Sequence, residues 1–210
     1  MPPVRPLALV LLAAGVVACA ARTNSGRPGA SAIAERPIGI PSLPHTEADA
    51  HFMTGMIHHH AQAVLMGKWA PTHGASAELQ RLAERIVVAQ NDEIALMQNW
   101  LRDRSEPVPS STPGPMKMKM NGMEHEMLMP GMLTDAQLHQ LDLARGEEFD
   151  RLFLTFMIRH HEGALTMVND LFGSPGAAQD EVVFRFASDV YADQTTEIDR
   201  MQQMLTARTR

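Results

Sequence analysis

The chain has 210 residues, 45% of them hydrophobic and 20% charged, with a net charge of −6 when histidines are neutral. This is the composition of a globular chain with a packed core, and the acidic balance without a long basic run excludes nucleic acid as the main partner. Aromatic residues are scarce at 5% while methionine reaches 16 residues, an excess of one soft, polarizable side chain that asks for a reason beyond core filling.

Residues 1–18 read as a signal peptide. Arg5 supplies a small positive region, and the apolar stretch Leu7 to Ala18 is too short to span a bilayer as a helix. It ends Val16-Val17-Ala18-Cys19, and Cys19 is the sole cysteine. Small residues before a cysteine resemble a bacterial lipobox, which predicts a membrane anchor through lipidated Cys19; ordinary cleavage nearby is the alternative. Both predict export to the periplasm or cell envelope, and a chain with one cysteine draws no stability from an internal disulfide.

Residues 19–44, rich in Ala, Gly, Ser, Pro and Arg, predict a flexible tether. Residues 45–207 predict an all-α four-helix bundle. Thr46 with Asp49 forms a capping box for a first helix that ends near Trp69, before Pro71 and Gly74. Ser76 caps a long second helix to about Arg104. A Pro-, Gly- and Met-rich connection covers 105–133. Thr134 with Gln137 opens a short helix, Gly146 interrupts it, and two long helices are predicted over about 147–172 and 178–207. No strand is expected anywhere.

The chain is internally repeated. Asp49, Phe52, Thr54, Met56, Ile57, His59, His60, Ala63 and Met66 recur 101 residues later as Asp150, Phe153, Thr155, Met157, Ile158, His160, His161, Ala164 and Met167. Gln90, Glu93, Ile94, Met97 and Leu101 recur at a spacing of 104 as Gln194, Glu197, Ile198, Met201 and Leu205. Residues 45–104 and 134–207 are thus two helical hairpins of one design, and two such hairpins pack as a four-helix bundle.

Helical geometry sorts the polar residues. His60 shares an inward stripe with Asp49, Met53, Met56 and Ala63, and His59 flanks it, whereas His51 and His58 point away. Their repeat partners agree: His51 and His58 become Leu152 and Arg159. Glu93 and Glu197, with Gln90 and Gln194, interrupt otherwise apolar stripes, and a carboxylate there must be neutralised, paired or metal-bound. Four inward histidines and two glutamates make a candidate metal constellation. The alternative is a satisfied polar network that fixes helix register. Neighbouring histidines differ by about 100°, so one of each pair is the better placed ligand.

The connection adds seven methionines between residues 116 and 132: Met116, Met118, Met120, Met123, Met127, Met129 and Met132, with His125 among them. A solvated loop has no packing use for them, and thioether sulfur favours Cu(I). The alternatives are a hydrophobic flap over the bundle or an oxidant sink.

The segments FMTGMIHHHAQAVLM and FDRLFLTFMIRHHEGALTM, with MPGMLTDAQLHQL ahead of the second, resemble the domain of unknown function 305 family over about residues 45–207. That resemblance implies a ferritin-like four-helix bundle, usually exported, with some members binding copper in copper resistance. Carried over by motif, it implies Met56, His59 and His60, then Met157, His160 and His161, as ligands. The resulting expectation is a copper-binding protein, with iron or zinc as other candidate ions, that sequesters the ion or passes it to an envelope copper-transfer protein. A ferritin-like dinuclear oxidase and a metal-free helical interaction module are the alternatives. The E-x-x-H motifs of di-iron bundles are absent, and no nucleophile–base pair, phosphate loop or CxxC motif supports hydrolase, kinase or thiol-redox chemistry.

Overall fold

The computed structural model describes residues 44–120 and 123–208; the expected signal peptide, Cys19 anchor and most of the tether lie outside them. The fold is all-α, built from α1 (Glu47–Trp69), α2 (Ala77–Asp103), α3 (Asp135–Leu143), α4 (Gly146–Gly173) and α5 (Glu181–Arg208). Among the described residues no helix is long and apolar enough to cross a membrane. Thr46 and Asp49 close a reciprocal capping box on α1, as do Thr134 and Gln137 on α3. Ser76 accepts from the Leu79 amide at the start of α2.

Helices α1 and α2 form one hairpin, α4 and α5 the other, and α1 packs directly on α4. Helix α1 is buried on nearly all sides, from Phe52 to Gly67, as befits a central helix.

Each hairpin grips the other through matching groups. Asp49 Oδ1 accepts from the Ala178 amide at 2.7 Å, in the turn before α5. Its repeat, Asp150, accepts from the Ser76 amide at 3.1 Å, in the turn before α2. The helix ends repeat the exchange. Arg104 pairs with Asp180 and stacks on Trp100, while Arg208 reaches Asp150 and Ser76, each at 2.8 Å.

The connection departs from expectation. It contains two antiparallel strands, β1 (Met116–Met120) and β2 (Met123–Met127), which pair in register from Met116 opposite Met127 to Met120 opposite Met123. The cause is visible in the sequence: methionine alternates with lysine in one strand, and acidic residues occupy the positions opposite those lysines in the other. Lys117 stands opposite Glu126 with Nζ 3.7 Å from Oε1, and Lys119 opposite Glu124.

Nor is the segment wholly solvated. Met116, Met129 and Met132 are buried in the core cluster that holds Phe52, Met56 and Met167. After β2, residues 129–133 run as a strap over α1 and α4. Gln62 holds it by two bonds, donating to the Leu133 carbonyl at 3.0 Å and accepting from the Leu133 amide at 2.7 Å. On α4 the strap backbone lies so close to Gly163 that a Cβ there would fall 2.0 Å from the Pro130 oxygen. Gln62 and Gly163 occupy equivalent repeat positions, so the strap is where the two hairpins stop being alike.

Candidate metal centre

The four repeated histidines lie where α1 crosses α4, all fully buried. His59 and His160 face each other with ring centroids 3.7 Å apart and planes 36° from parallel. The His59 Nε2–H donates to the Pro130 carbonyl of the strap at 3.0 Å. This fixes the tautomer and leaves a lone pair on Nδ1, which makes no well-formed hydrogen bond. Neither ring nitrogen of His160 makes a well-formed hydrogen bond. Burial, then the adjacent His60, holds His59 well below the ordinary histidine range. Burial, then His59, does the same for His160. Both rings are therefore neutral at neutral pH, the form that offers a lone pair to a metal.

His60 and His161 are turned about 100° from their neighbours and meet the outer helices. His161 Nε2 hydrogen-bonds Glu197 Oε2 at 2.7 Å. His60 Nε2 lies 2.8 Å from Glu93 Oε2 but off the hydrogen-bond direction, so that pair is a close contact without an aligned bond. The Nδ1 atoms of both rings lack partners. Both glutamates are 22% exposed and line a cleft of about 330 Å³ between α2 and α5. Buried Gln90 and Gln194 line it too, and neither amide oxygen has a partner. Asp193 stands in the same cleft, and burial, then Glu93 and Glu197, raises its pKa.

The expected constellation is thus divided into one histidine–histidine stack and two histidine–glutamate pairs. Among the described residues no group of three or more His, Cys, Asp or Glu side chains is gathered closely enough to hold a metal ion. Met56 and Met157 are fully buried one helical turn before the histidine pairs. In the hairpin, Met118 is in register with His125 and Met120 with Met123. Met123, His125 and Met127 are exposed. The hairpin reaches the histidine layer indirectly, through the packing of β1 on α1 and the strap's bond to His59. Sequence reasoning missed Gln62, Pro130 and Gly163; the mismatch of Gln62 with Gly163 across the repeat was the available signal.

Fold and site together define a helical bundle of two fused hairpins with neutral histidines enclosed at their junction. The chain belongs to the family described as domain of unknown function (DUF305), whose profile matches residues 49–205. It is 30% identical to a DUF305 protein of Streptomyces coelicolor, described as a candidate secreted protein, over 77% of this chain and 92% of that one, with a TM-score of 0.65. CopM, solved with Cu(I) bound, is 27% identical over 76% of this chain and 96% of that one, with a TM-score of 0.58. CopM has also been solved with Cu(II) bound. An uncharacterized protein of Acanthamoeba polyphaga mimivirus is 34% identical over 56 residues, and that match spans 37% of the relative's length.

Proposed function

We propose that this chain is an exported copper-binding protein that sequesters Cu(I), or passes it to another envelope protein, and also accepts Cu(II). The observation that carries this reading is the stacked pair His59 and His160. Two neutral imidazoles are enclosed together, and at least three of their four ring nitrogens lack a well-formed hydrogen bond. Burying polar atoms without partners is costly, so such a site gains by taking a ligand. Imidazole nitrogen with nearby thioether sulfur suits copper better than a hard ion. Iron would call for bridging carboxylates, and here Glu93 and Glu197 are engaged with His60 and His161. Zinc remains chemically compatible with the histidines.

The ligands we assign are His59, His60, His160 and His161, with Met56 and Met157 one turn away and Glu93 and Glu197 orienting the outer rings. The strand methionines Met116, Met118, Met120, Met123 and Met127, with His125, are a first point of capture. Export rests on the apolar stretch before Cys19 and on the likeness to a relative described as a candidate secreted protein; anchoring through lipidated Cys19 is part of the same proposal. The satisfied-network alternative is partly met, since His60 and His161 have carboxylate partners, but it leaves His59 and His160 unexplained.

The test is titration of the purified protein with Cu(I) against a competing chelator, beside a variant with His59, His60, His160 and His161 changed to alanine and a milder His59→Gln/His160→Gln variant. Binding by the parent that weakens in both variants is expected. No binding by the parent beyond the chelator background overturns the reading.

A further inference from the structure

A second place in the molecule gathers soft donors, away from the histidine layer. Gly55, on α1, has no side chain, and the space beside it is filled from three other parts of the chain. A Cβ built on Gly55 would lie 2.8 Å from Met129 Sδ of the strap, 3.4 Å from Met167 Cε of α4 and 3.6 Å from Met116 Sδ at the start of β1. Two sulfurs and the methyl of a third thioether therefore converge on one point. All three residues are almost completely enclosed, at 4%, 7% and 5% exposure respectively. Met129 and Met167 also line a cavity of about 500 Å³ whose wall includes Met127 and His51, and Met127 and His51 are themselves exposed to solvent.

All three belong to the apolar core around Phe52 and Met56; what sets them apart is that two sulfurs are presented to one point. The position equivalent to Gly55 in the second repeat is Phe156, so the helix accepts a large apolar side chain at this point of the design. In the first repeat the position is emptied, and thioethers from distant parts of the sequence are led into it.

We propose that Met116, Met129 and Met167 form, over Gly55, a three-thioether site for a soft monovalent cation, Cu(I) or Ag(I), with Met127 on the path from solvent. The inference rests on the copper reading above but names a site apart from the histidine layer, sharing only Met116 with the capture strands and using thioethers alone. Thioethers are neutral and need not lose a proton to coordinate, so the site selects by softness. Divalent zinc and Cu(II), which favour nitrogen and oxygen, are poorly served there. A single positive charge in an apolar surrounding is tolerable only when its donors are polarizable, and sulfur meets that condition.

The test uses the full protein with Ag(I) and with Cu(I), reading stoichiometry under chelator competition and the ligand atoms by X-ray absorption. Three forms are compared with the parent: Met116→Leu/Met129→Leu/Met167→Leu, which roughly conserves volume; Gly55→Ala, which pushes a methyl at the Met129 sulfur; and His59→Gln/His160→Gln. The parent should hold one ion in a sulfur-only shell. The triple variant should lose that ion by about 100-fold or more, Gly55→Ala should weaken it by about tenfold, and the histidine variant should keep it. If the triple variant and Gly55→Ala both bind with unchanged stoichiometry and affinity, the thioether site is overturned and the copper reading stands. If the parent binds neither ion, both fall. Should the triple variant unfold, as judged by its melting curve, Gly55→Ala decides.

Discussion

The approach of the strap to α4 sets up a sharp perturbation, Gly163→Ala. The new Cβ would meet the Pro130 oxygen at 2.0 Å, the Pro130 carbonyl carbon at 2.4 Å and Gly131 Cα at 2.6 Å. All three are backbone atoms, so no side-chain rotation relieves the clash. Gly131 cannot yield either: it sits at φ 75°, and a Cβ on it would meet the Arg159 carbonyl oxygen at 2.5 Å. The strap must move outward by roughly 1 Å or more to restore ordinary contact. That movement breaks the bond from His59 to Pro130 and distorts the two bonds between Gln62 and Leu133, each worth about 1 kcal/mol net. It also loosens Met129, Met132 and Leu133, whose full burial is worth about 1.5–3 kcal/mol apiece. Against this, alanine in a helix interior gains about 1 kcal/mol over glycine. A net loss of about 3 kcal/mol is expected, or roughly 6–12 °C in melting temperature for a domain of this size. Thermal and urea unfolding would measure it. Gly173→Ala is the control, because a Cβ at Gly173 meets nothing within 4 Å. A Gly163→Ala protein within about 0.5 kcal/mol of its parent would refute the reasoning, since that is the range of an unremarkable surface substitution.

Three further outcomes follow from the same geometry. Because His59 and His160 are held neutral in the folded protein while the unfolded chain takes up protons near pH 6.5, the unfolded state binds more protons and stability falls as pH drops below that value. For the metal-free protein the loss between pH 7 and pH 5 is up to about 4 kcal/mol for the two rings, and urea midpoints at the two pH values should lie closer together in His59→Gln/His160→Gln. Changing Gln62 to leucine strips both partners from the buried Leu133 amide and carbonyl; a destabilisation of about 2–4 kcal/mol is expected by chemical denaturation, and a near-neutral result would show that the strap is not held there. At Asp180, burial alone would raise the pKa, but hydrogen bonds from Trp100, the Val183 amide and Arg104 outweigh it and hold it below the usual carboxylate range. Asp180→Asn should therefore cost about 1–3 kcal/mol at neutral pH, and the difference from the parent should shrink as pH falls through the lowered carboxylate pKa, visible in melts from pH 7 to pH 3.

The long helices and their partnership were legible because the signals are local or repeated. Thr46 with Asp49, Ser76, and Thr134 with Gln137 mark helix starts by short-range hydrogen bonding, and the doubled histidine pairs mark the helices that face each other. The strap was not legible, because what fixes it is backbone proximity at Gly163, which leaves no side chain to read. The hairpin was misjudged for another reason. Met-Lys-Met-Lys-Met alternates as a strand does, but methionine is a weak strand former, and the opposition of lysines to glutamates shows only once the two strands are set in register. At the histidine layer, inward direction could be read from helical phase. The split into a stack and two carboxylate pairs could not, because it depends on how far α2 and α5 lie from the crossing. Arg104 and Arg208, and Ser76 and Asp180, also keep the 104-residue spacing, so the clamps at the helix ends were there to be found by extending the repeat.

The exchange of aspartates makes the two halves mutually dependent. Asp49 serves the turn of the second hairpin and Asp150 the turn of the first, so each half carries both a hook and the eye it fits. A lone hairpin could not use its own hook, but two identical copies could serve each other. The strap and its methionines are the length of chain with no counterpart in the repeat, and it is there, at Gln62 and Gly163, that the two halves cease to be interchangeable.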